Sequence, residues 1–263
     1  MSAHARWLFA LKLACLAAAL LLPAVPQPAG YHDFADTRAL LGVPNAADVL
    51  SNVAFVVAGL GGLAATLGRG ARFASRGERL PYAVFFAGVA LTGLGSAHYH
   101  LAPDNERLFW DRLPMAVAFM GLVAAQVADR VGARAGLALL GPLLALGVAS
   151  VVHWRATERL GTGNVVPYAV LQAYAVFVLL LLASFARSRY THGVLLFHVF
   201  AWYAVAKLAE ALDREVFAAV GLASGHTLKH LAAAAAVAVV WRMLVVRAPR
   251  PDAMHSPRRA LAA

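Results

Sequence analysis

Long apolar segments separated by short polar connections dominate the chain. Each apolar segment is near the roughly 20 residues that a membrane-spanning helix needs. They cover residues 6–24, 48–67, 81–101, 112–128, 135–152, 165–185, 192–212 and 226–246. This pattern predicts an all-α fold: a polytopic transmembrane helix bundle with a seven-helix core and one extra N-terminal helix. Glycines at positions 59, 61, 62, 93 and 95 are expected to let helices pack closely.

The first segment permits two interpretations. A short basic start, an apolar run and then Pro23 to Gly30 are typical of a signal peptide, but no convincing cleavage site follows. A retained transmembrane helix or signal anchor over residues 1–30 is therefore preferred. A seven-span domain over residues 31–247 follows, and the Pro- and Arg-rich residues 248–263 are predicted to form a disordered cytoplasmic tail.

Composition excludes a soluble globular domain. The chain is 61% hydrophobic and 14% charged, with a mean hydropathy of +0.68, whereas soluble domains are nearer half apolar and a quarter charged. The net charge of +10 does not indicate nucleic acid, because the arginines occur in small groups between apolar runs. The single cysteine, Cys15, excludes an internal disulfide and a Cys-based zinc cluster.

Basic residues predict the orientation in the membrane. One side of the predicted spans holds 15 of the 23 basic residues, in the connections 68–80, 129–134 and 186–191, near the N-terminus, and from Arg242 to the C-terminus. By the positive-inside rule that side is cytoplasmic. Because the composition is rich in Ala and Arg and poor in Lys, we expect a bacterial inner-membrane protein with its C-terminus in the cytoplasm. Most acidic residues lie on the opposite, periplasmic side.

Residues 93–115 hold the densest run of metal-capable side chains. Ser96 and His100 are four residues apart and share one helix face. Asp111 follows a short connection, and His226 and His230 repeat the four-residue spacing at the start of the last span. All are predicted at the outer ends of their spans. Three imidazoles with a fourth position open are typical of catalytic zinc, so we predict that these five residues converge on one zinc ion. The simpler alternative is a set of interfacial polar residues that satisfy one another.

Other polar residues are assigned structural roles. His98 lies about 200° around the helix from His100 and is not expected to face the same ion. His153, His192 and His198 are isolated in the sequence. Lys207, Glu210 and Asp213 lie near the outer end of the seventh predicted span and are predicted to form an internal ion-pair network rather than to act directly in the site, although charges within spans are often functional.

Three blocks of the chain resemble the alkaline ceramidase family. They are Gly95-Ser96-x3-His100, Asp111-Arg-Leu-Pro114-Met115 and Gly225-His226-x3-His230. That family belongs to a wider superfamily of seven-span hydrolases with the adiponectin receptors and haemolysin-III-like proteins. The resemblance covers about residues 31–245 and implies a zinc amidase. Zinc would be held by the three histidines, the Asp would be the acid/base, and Ser96 would face the oxyanion.

The sequence also departs from the family pattern. The family's acidic residue directly after the catalytic Asp is Arg112 here. The resemblance further implies a possible calcium site in the N-terminal segment, for which the candidate ligands are Asp33, Asp36, Asn45 and Asp48. Their oxygen atoms suit calcium, but the family's pattern is not reproduced. The alternative is that the first two are solvated loop acids and that Asn45 or Asp48 caps the second span.

These observations favour a hydrolase acting on linear amide bonds. The expected substrate is ceramide or a related N-acyl lipid, cleaved to a fatty acid and an amino-alcohol base, with the lipid bilayer as the other partner. The competing hypothesis is a non-catalytic receptor or lipid-binding protein that keeps zinc. A transporter is a third possibility, supported by Lys207 and Glu210 but weakened by the lack of broken helices in matched halves.

Overall fold

The structure is a computed structural model that describes residues 17–18 and 21–251. The helices that it contains are α1 (Ala46–Ser51), α2 (Val53–Leu67), α3 (Arg79–Leu101), α4 (Asn105–Arg130), α5 (Ala133–Arg159), α6 (Val166–Phe185), α7 (Leu195–Ala211), α8 (Asp213–Val220) and α9 (Gly225–Val246). Short 3-10 turns at Ala29–His32 and Arg76–Glu78 complete the described secondary structure.

The predicted all-α transmembrane bundle is confirmed. In the described part of the chain, six helical segments are long and apolar enough to cross a membrane, with α1 and α2 counted together. A seventh span is formed if α7 and α8 are joined, although these two helices are bent by 80° at their junction. These segments coincide with the seven later predicted spans, so the protein is a multi-pass membrane protein. The first predicted segment, 6–24, lies mostly outside the described residues.

Helices α4 and α5 extend beyond their predicted ends. Helix α4 starts at Asn105 rather than at 112, because the Asp104 side chain accepts a hydrogen bond from the Arg107 amide at 2.7 Å and caps the helix. Helix α5 continues to Arg159. Its last turns pair with Glu106 of α4, which lies 2.5 Å from Arg155 and 2.6 Å from Arg159. These polar turns are helical although they lack the hydropathy of a span.

The core of the bundle lies where α3, α4 and α9 pack together with α2 and α6. Phe86 is fully buried there, and Met120 and Val240 are at most 1% exposed. The expected close packing at glycines is confirmed: a methyl group at Gly59 would lie 2.6 Å from the Ala90 amide, and an added methyl would also collide at the other four positions. Helix contacts of this kind depend on the absence of a side chain.

Arginine-rich connections occupy one end of the bundle, at the N-termini of α3, α5 and α7. Arg247 at the end of α9 is buried over the ring of Tyr190, 3.9 Å from its centroid. The predicted tail begins at Ala248, and its first residues are held in place: the amide of Arg250 donates to the Arg189 carbonyl at 2.9 Å. Residues 252–263 of that tail lie outside the described residues.

The N-terminal segment crosses the opposite end of the bundle. Phe34 is buried between α3 and α9, and the Ala35 amide donates to the Asp213 carboxylate at 2.9 Å. Asn45 has a left-handed backbone conformation, with φ +46°. Its side-chain amide donates a hydrogen bond to the His100 carbonyl at 2.8 Å. Segment 31–45 therefore covers the ends of the helices that carry the predicted site.

Candidate metal centre

Three histidines from two helices meet beneath the N-terminal segment. His100 comes from the last turn of α3, and His226 and His230 come from consecutive turns at the start of α9. One ring nitrogen from each lies within 4.8 Å of the others, and this is the group of metal-capable side chains found in the described residues. The Nε2 atoms of His100 and His226 are 3.3 Å apart. The triad can therefore hold a metal ion.

The start of α9 is fixed by local chemistry. The Ser224 side chain accepts a hydrogen bond from the Thr227 amide at 3.1 Å and caps the helix. The carboxylate of Asp213 accepts from the His226 amide at 2.7 Å. Gly225 is required at the same point, because a methyl group there would lie 2.7 Å from the Asp213 Cα. The α7–α8 bend thereby sets the position of the first α9 histidine.

Hydrogen bonds also orient His230. Ser51 donates to the Asp48 carbonyl at 2.9 Å, and its oxygen lies 2.8 Å from His230 Nδ1. A hydroxyl has one proton. Because Ser51 donates that proton to the Asp48 carbonyl, its oxygen accepts a hydrogen bond from Nδ1–H of His230. This arrangement leaves Nε2 of His230 with a free lone pair for a metal ion.

The Nδ1 atoms of His100 and His226 have different surroundings. Nδ1 of His100 is buried without a hydrogen-bond partner among the described residues. Lys229 lies between the two α9 histidines in sequence, and its Nζ is 3.4 Å from His226 Nδ1. The same ammonium is closer to Glu210, at 3.1 Å, so its charge is paired beside the triad.

Ser96 and Asp111 are brought to the same place as the triad. Both line a cavity of about 250 Å³ together with His230. Gly95 allows this approach of α3 to α4, because a methyl group there would collide with the Trp110 carbonyl. One oxygen of Asp111, Oδ1, is buried without a hydrogen-bond partner within residues 17–18 and 21–251. Asp111 therefore lines the cavity with one carboxylate oxygen that no described residue engages.

The cavity runs from this polar end into the apolar core. Its deeper wall includes Phe85, Leu122 and Val240. Its upper wall includes Lys207, whose side chain is 57% exposed. The cavity wall therefore extends to the surface of the bundle at Lys207 of α7.

The predicted calcium ligands do not converge. Asp33 is exposed, and Asp36 is buried in an ion pair with Arg38 at 2.8 Å. Asn45 donates to the His100 carbonyl, and Asp48 accepts from the Thr227 hydroxyl at 2.6 Å. No group of three or more carboxylates and imidazoles includes these acids in the described part of the chain. The Asp36 and Asp48 carboxylates and the Asn45 side-chain nitrogen serve separate contacts, which stabilise the N-terminal segment and α9.

Arg38 also fixes the charge of Asp36. Its guanidinium makes two hydrogen bonds of 2.8 Å to the carboxylate, and these lower the pKa of Asp36 below its ordinary value. The same guanidinium donates to the carbonyls of Gly221 and Leu222 after α8, at 2.8 and 3.0 Å. The ion pair thus ties the N-terminal segment to the α8–α9 connection.

The other histidines behave as predicted. His98 is exposed on the opposite side of α3 from His100, and the predicted isolated histidines, His153, His192 and His198, are also exposed. The predicted network is confirmed for Lys207, which pairs with Glu210. The prediction is wrong for Asp213, because the bend after α7 turns its carboxylate towards the backbone of the N-terminal segment and α9.

Several residues of the site are not evident from the sequence. Phe34 packs on two ligand rings, with centroids 4.6 Å from His100 and 4.4 Å from His226. Ser51 has a weak sequence signal, since it lies one turn after Asp48 at the start of a span. Lys229 lies between His226 and His230 in the sequence, but this position does not indicate its ion pair with Glu210.

In comparisons with known proteins, no family model, no curated protein and no solved structure matches this chain. The fold and the triad define a class, a multi-pass helical membrane protein with a three-histidine candidate metal centre.

Proposed function

We propose that the protein is a zinc-dependent membrane amidase that hydrolyses the N-acyl bond of ceramide or a related N-acyl lipid. The observation that carries this proposal is that Ser96, Asp111 and His230 of the triad line one end of a cavity whose deeper wall is apolar. The resemblance of the same residues to the alkaline ceramidase family supports it. The products would be a fatty acid and an amino-alcohol base.

The donor set fits zinc. Zinc takes imidazole nitrogens at 2.0–2.1 Å in tetrahedral geometry, for which two ligand nitrogens are about 3.4 Å apart. The separation of 3.3 Å between Nε2 of His100 and Nε2 of His226 agrees with that value. Three protein ligands leave a fourth position open, as in catalytic sites. When bound, zinc supplies Lewis acidity that lowers the pKa of water and polarises a carbonyl.

Asp111 and Ser96 supply the remaining chemistry. In amide hydrolysis, a water oxygen bonds to the acyl carbon, the C–N bond breaks, and a proton is transferred to the leaving nitrogen. The free Oδ1 of Asp111 takes the proton from water and then delivers it to the amine. The Ser96 hydroxyl, one turn before His100 on the same face, donates a hydrogen bond to the carbonyl oxygen as charge develops on it.

The apolar depth of the cavity suits an acyl chain. The wall from His230 to Val240 follows ten residues of α9, or about 15 Å at the rise of an α-helix. An acyl chain that moves there from the bilayer stays in apolar surroundings, so it exchanges contacts with lipid tails for contacts with the cavity wall. The cavity therefore accommodates the chain without exposing it to water.

The proposed orientation places the metal centre on the periplasmic side of a bacterial inner membrane. Its support is the grouping of arginines at the opposite end of the bundle, which the positive-inside rule assigns to the cytoplasm. A reporter fused after Arg76 should therefore be cytoplasmic, and one fused after Gly161 periplasmic. The reverse result would overturn the orientation and leave the chemistry unaffected.

Metal analysis combined with lipid turnover tests the function. Purified wild-type protein should contain about one zinc per chain and release fatty acid from ceramide. His226→Ala should lose both properties, whereas Asp111→Asn should keep zinc and lose about 10²- to 10⁴-fold in kcat. His153→Ala, which alters an exposed histidine, serves as the matched control and should retain both.

Two results would overturn the proposal. Protein without zinc would refute the metal centre. Zinc-loaded protein in which Asp111→Asn is as active as the wild type would refute the mechanism. Zinc and lipid binding without any turnover would instead favour the non-catalytic receptor.

A further inference from the structure

One buried cation in the cavity wall, Arg112, makes no salt bridge within residues 17–18 and 21–251, although the Asp111 carboxylate is near enough to interact with its charge. Arg112 is 4% exposed, and it lines the cavity beside Asp111. Its Nε and Nη1 atoms have no hydrogen-bond partner, and it forms no ion pair, among the described residues. The other two cations in the wall, Lys207 and Lys229, both pair with Glu210. Arg112 is therefore the cavity cation whose hydrogen-bonding groups are available to a ligand.

Aromatic rings hold this guanidinium in place. Its central carbon lies 4.3 Å from the ring centroid of Trp154, 4.9 Å from that of Tyr168 and 5.1 Å from that of Tyr31. Cation–π contacts orient the planar group and partly compensate for lost hydration. These contacts are not hydrogen bonds, and Nε and Nη1 stay without a hydrogen-bond partner among the described residues. A buried charge with unused donors is costly unless a counter-ion pairs with it.

We propose that Arg112 is the subsite for an anionic group on the amine half of the substrate, so that the preferred lipid is an N-acyl compound bearing a carboxylate or a phosphate. The inference rests on the proposed function, because the same cavity must hold the amide. A guanidinium binds either anion through two parallel N–H···O bonds. The acyl chain occupies the apolar depth of the cavity, and the anion lies at its polar end beside Asp111.

The inference concerns the choice of substrate rather than the bond that breaks. A hydrogen bond to a charged group that is lost on binding a neutral lipid corresponds to about a 10- to 100-fold difference in affinity. Neutral ceramide would therefore be a weaker substrate than an anionic N-acyl lipid with the same acyl chain.

Turnover is compared on three hexadecanoyl amides: hexadecanoyl glycine, hexadecanoyl ethanolamine phosphate and neutral hexadecanoyl ethanolamine. We expect wild-type kcat/KM to be about 10- to 100-fold higher for at least one of the two anionic lipids. The glycine and phosphate compounds identify which anion is preferred. Equal values for all three lipids in the wild type would overturn the inference, without any need for a variant.

Variants then assign the preference to one residue. Arg112→Met replaces the buried cation by an apolar side chain that aromatic neighbours accommodate, and it should lose the preference for anions while it still cleaves the neutral amide. Arg155→Gln is the matched control, because Arg155 also stacks on an aromatic ring, at 4.3 Å from Phe109, but pairs with Glu106 outside the cavity. A preference that persists in Arg112→Met would overturn the assignment.

Binding separates this inference from the proposed function. Hexadecanesulfonyl glycine and hexadecanesulfonyl ethanolamine share the same chain and differ at one end group, a charged carboxylate against a neutral hydroxymethyl group, and their sulfonamide is not hydrolysed. Calorimetry in detergent should show tighter binding of the anionic compound to the wild type and equal binding of both to Arg112→Met. Such selectivity without amide turnover would refute the amidase and support the anion subsite. Turnover without selectivity would support the amidase and refute the subsite.

Discussion

Ser51→Ala tests whether the hydrogen bond behind His230 contributes to metal binding. The hydroxyl lies 2.8 Å from His230 Nδ1 and, by donating to the Asp48 carbonyl, accepts the Nδ1 proton. Without it, the imidazole loses the contact that fixes its tautomer and ring orientation. The Asp48 carbonyl keeps a second donor, the Asn52 side-chain amide at 2.7 Å, so the backbone group remains satisfied.

The expected size of the effect follows from these contacts. Loss of a hydrogen-bonding partner of a metal-bound histidine costs about 10- to 100-fold in metal affinity, which corresponds to about 1.4–2.7 kcal/mol. The metal-free protein loses both hydrogen bonds of the hydroxyl, which together cost about 2 kcal/mol. Ser51→Ala should therefore weaken zinc binding and also lower the melting temperature of the metal-free protein.

Zinc affinity is measured by competition with a chromophoric chelator in detergent, together with the melting temperature of the chelated protein. Ser150→Ala is the matched control, because the Ser150 hydroxyl makes the same kind of bond within a helix, at 2.8 Å to the Gly147 carbonyl, in α5 away from the triad. If both variants change zinc affinity equally, or if Ser51→Ala leaves it unchanged, the assigned role of Ser51 is refuted.

Three further predictions concern packing and charge. Gly95→Ala should destabilise the protein by about 1–3 kcal/mol because its methyl group would collide with Trp110, whereas Gly141→Ala, which meets nothing within 4 Å, should be neutral or slightly stabilising in the same thermal melts. Since Arg38 lowers the pKa of Asp36 below its ordinary value of 3.8, the stability lost in Asp36→Asn should be constant above that value and should disappear as the pH of the melt falls through the lower folded pKa; a difference that grows on acidification would contradict this sign. Glu106→Gln should cost at most about 1 kcal/mol, despite two close arginines, because the side chain is 49% exposed, and a larger loss would refute the view that these pairs are screened by solvent.

Residues that are close in sequence and share a helix face could be predicted. The spacing of His226 and His230 places them on consecutive turns, and the alternation of spans places His100 at the same end of the bundle. The convergence of these three rings therefore follows from helix geometry and from the number of membrane crossings. The start of α4 was misplaced because hydropathy counts the residues after Asp104 as a connection, although that side chain caps the helix.

Contacts between distant segments could not be predicted. Ser51 and His230 are 179 residues apart, and the sequence pattern of neither residue indicates the other. The calcium prediction used the residue types of four oxygen donors, but it could not show that Arg38 and Thr227 already occupy two of the carboxylates. The position of Asp213 depended on the 80° bend after α7, for which no proline or glycine at the junction gives a signal.

The exposure of the cavity wall at Lys207 has a kinetic consequence. Lys207 belongs to both the cavity wall and the exposed surface of α7, so a ligand that enters beside this helix would diffuse in the plane of the bilayer and would not first dissolve in water. The concentration that governs occupancy is then the mole fraction of the lipid in the membrane. Dilution of the membrane with inert lipid should lower the rate at a constant bulk concentration, whereas addition of buffer should not.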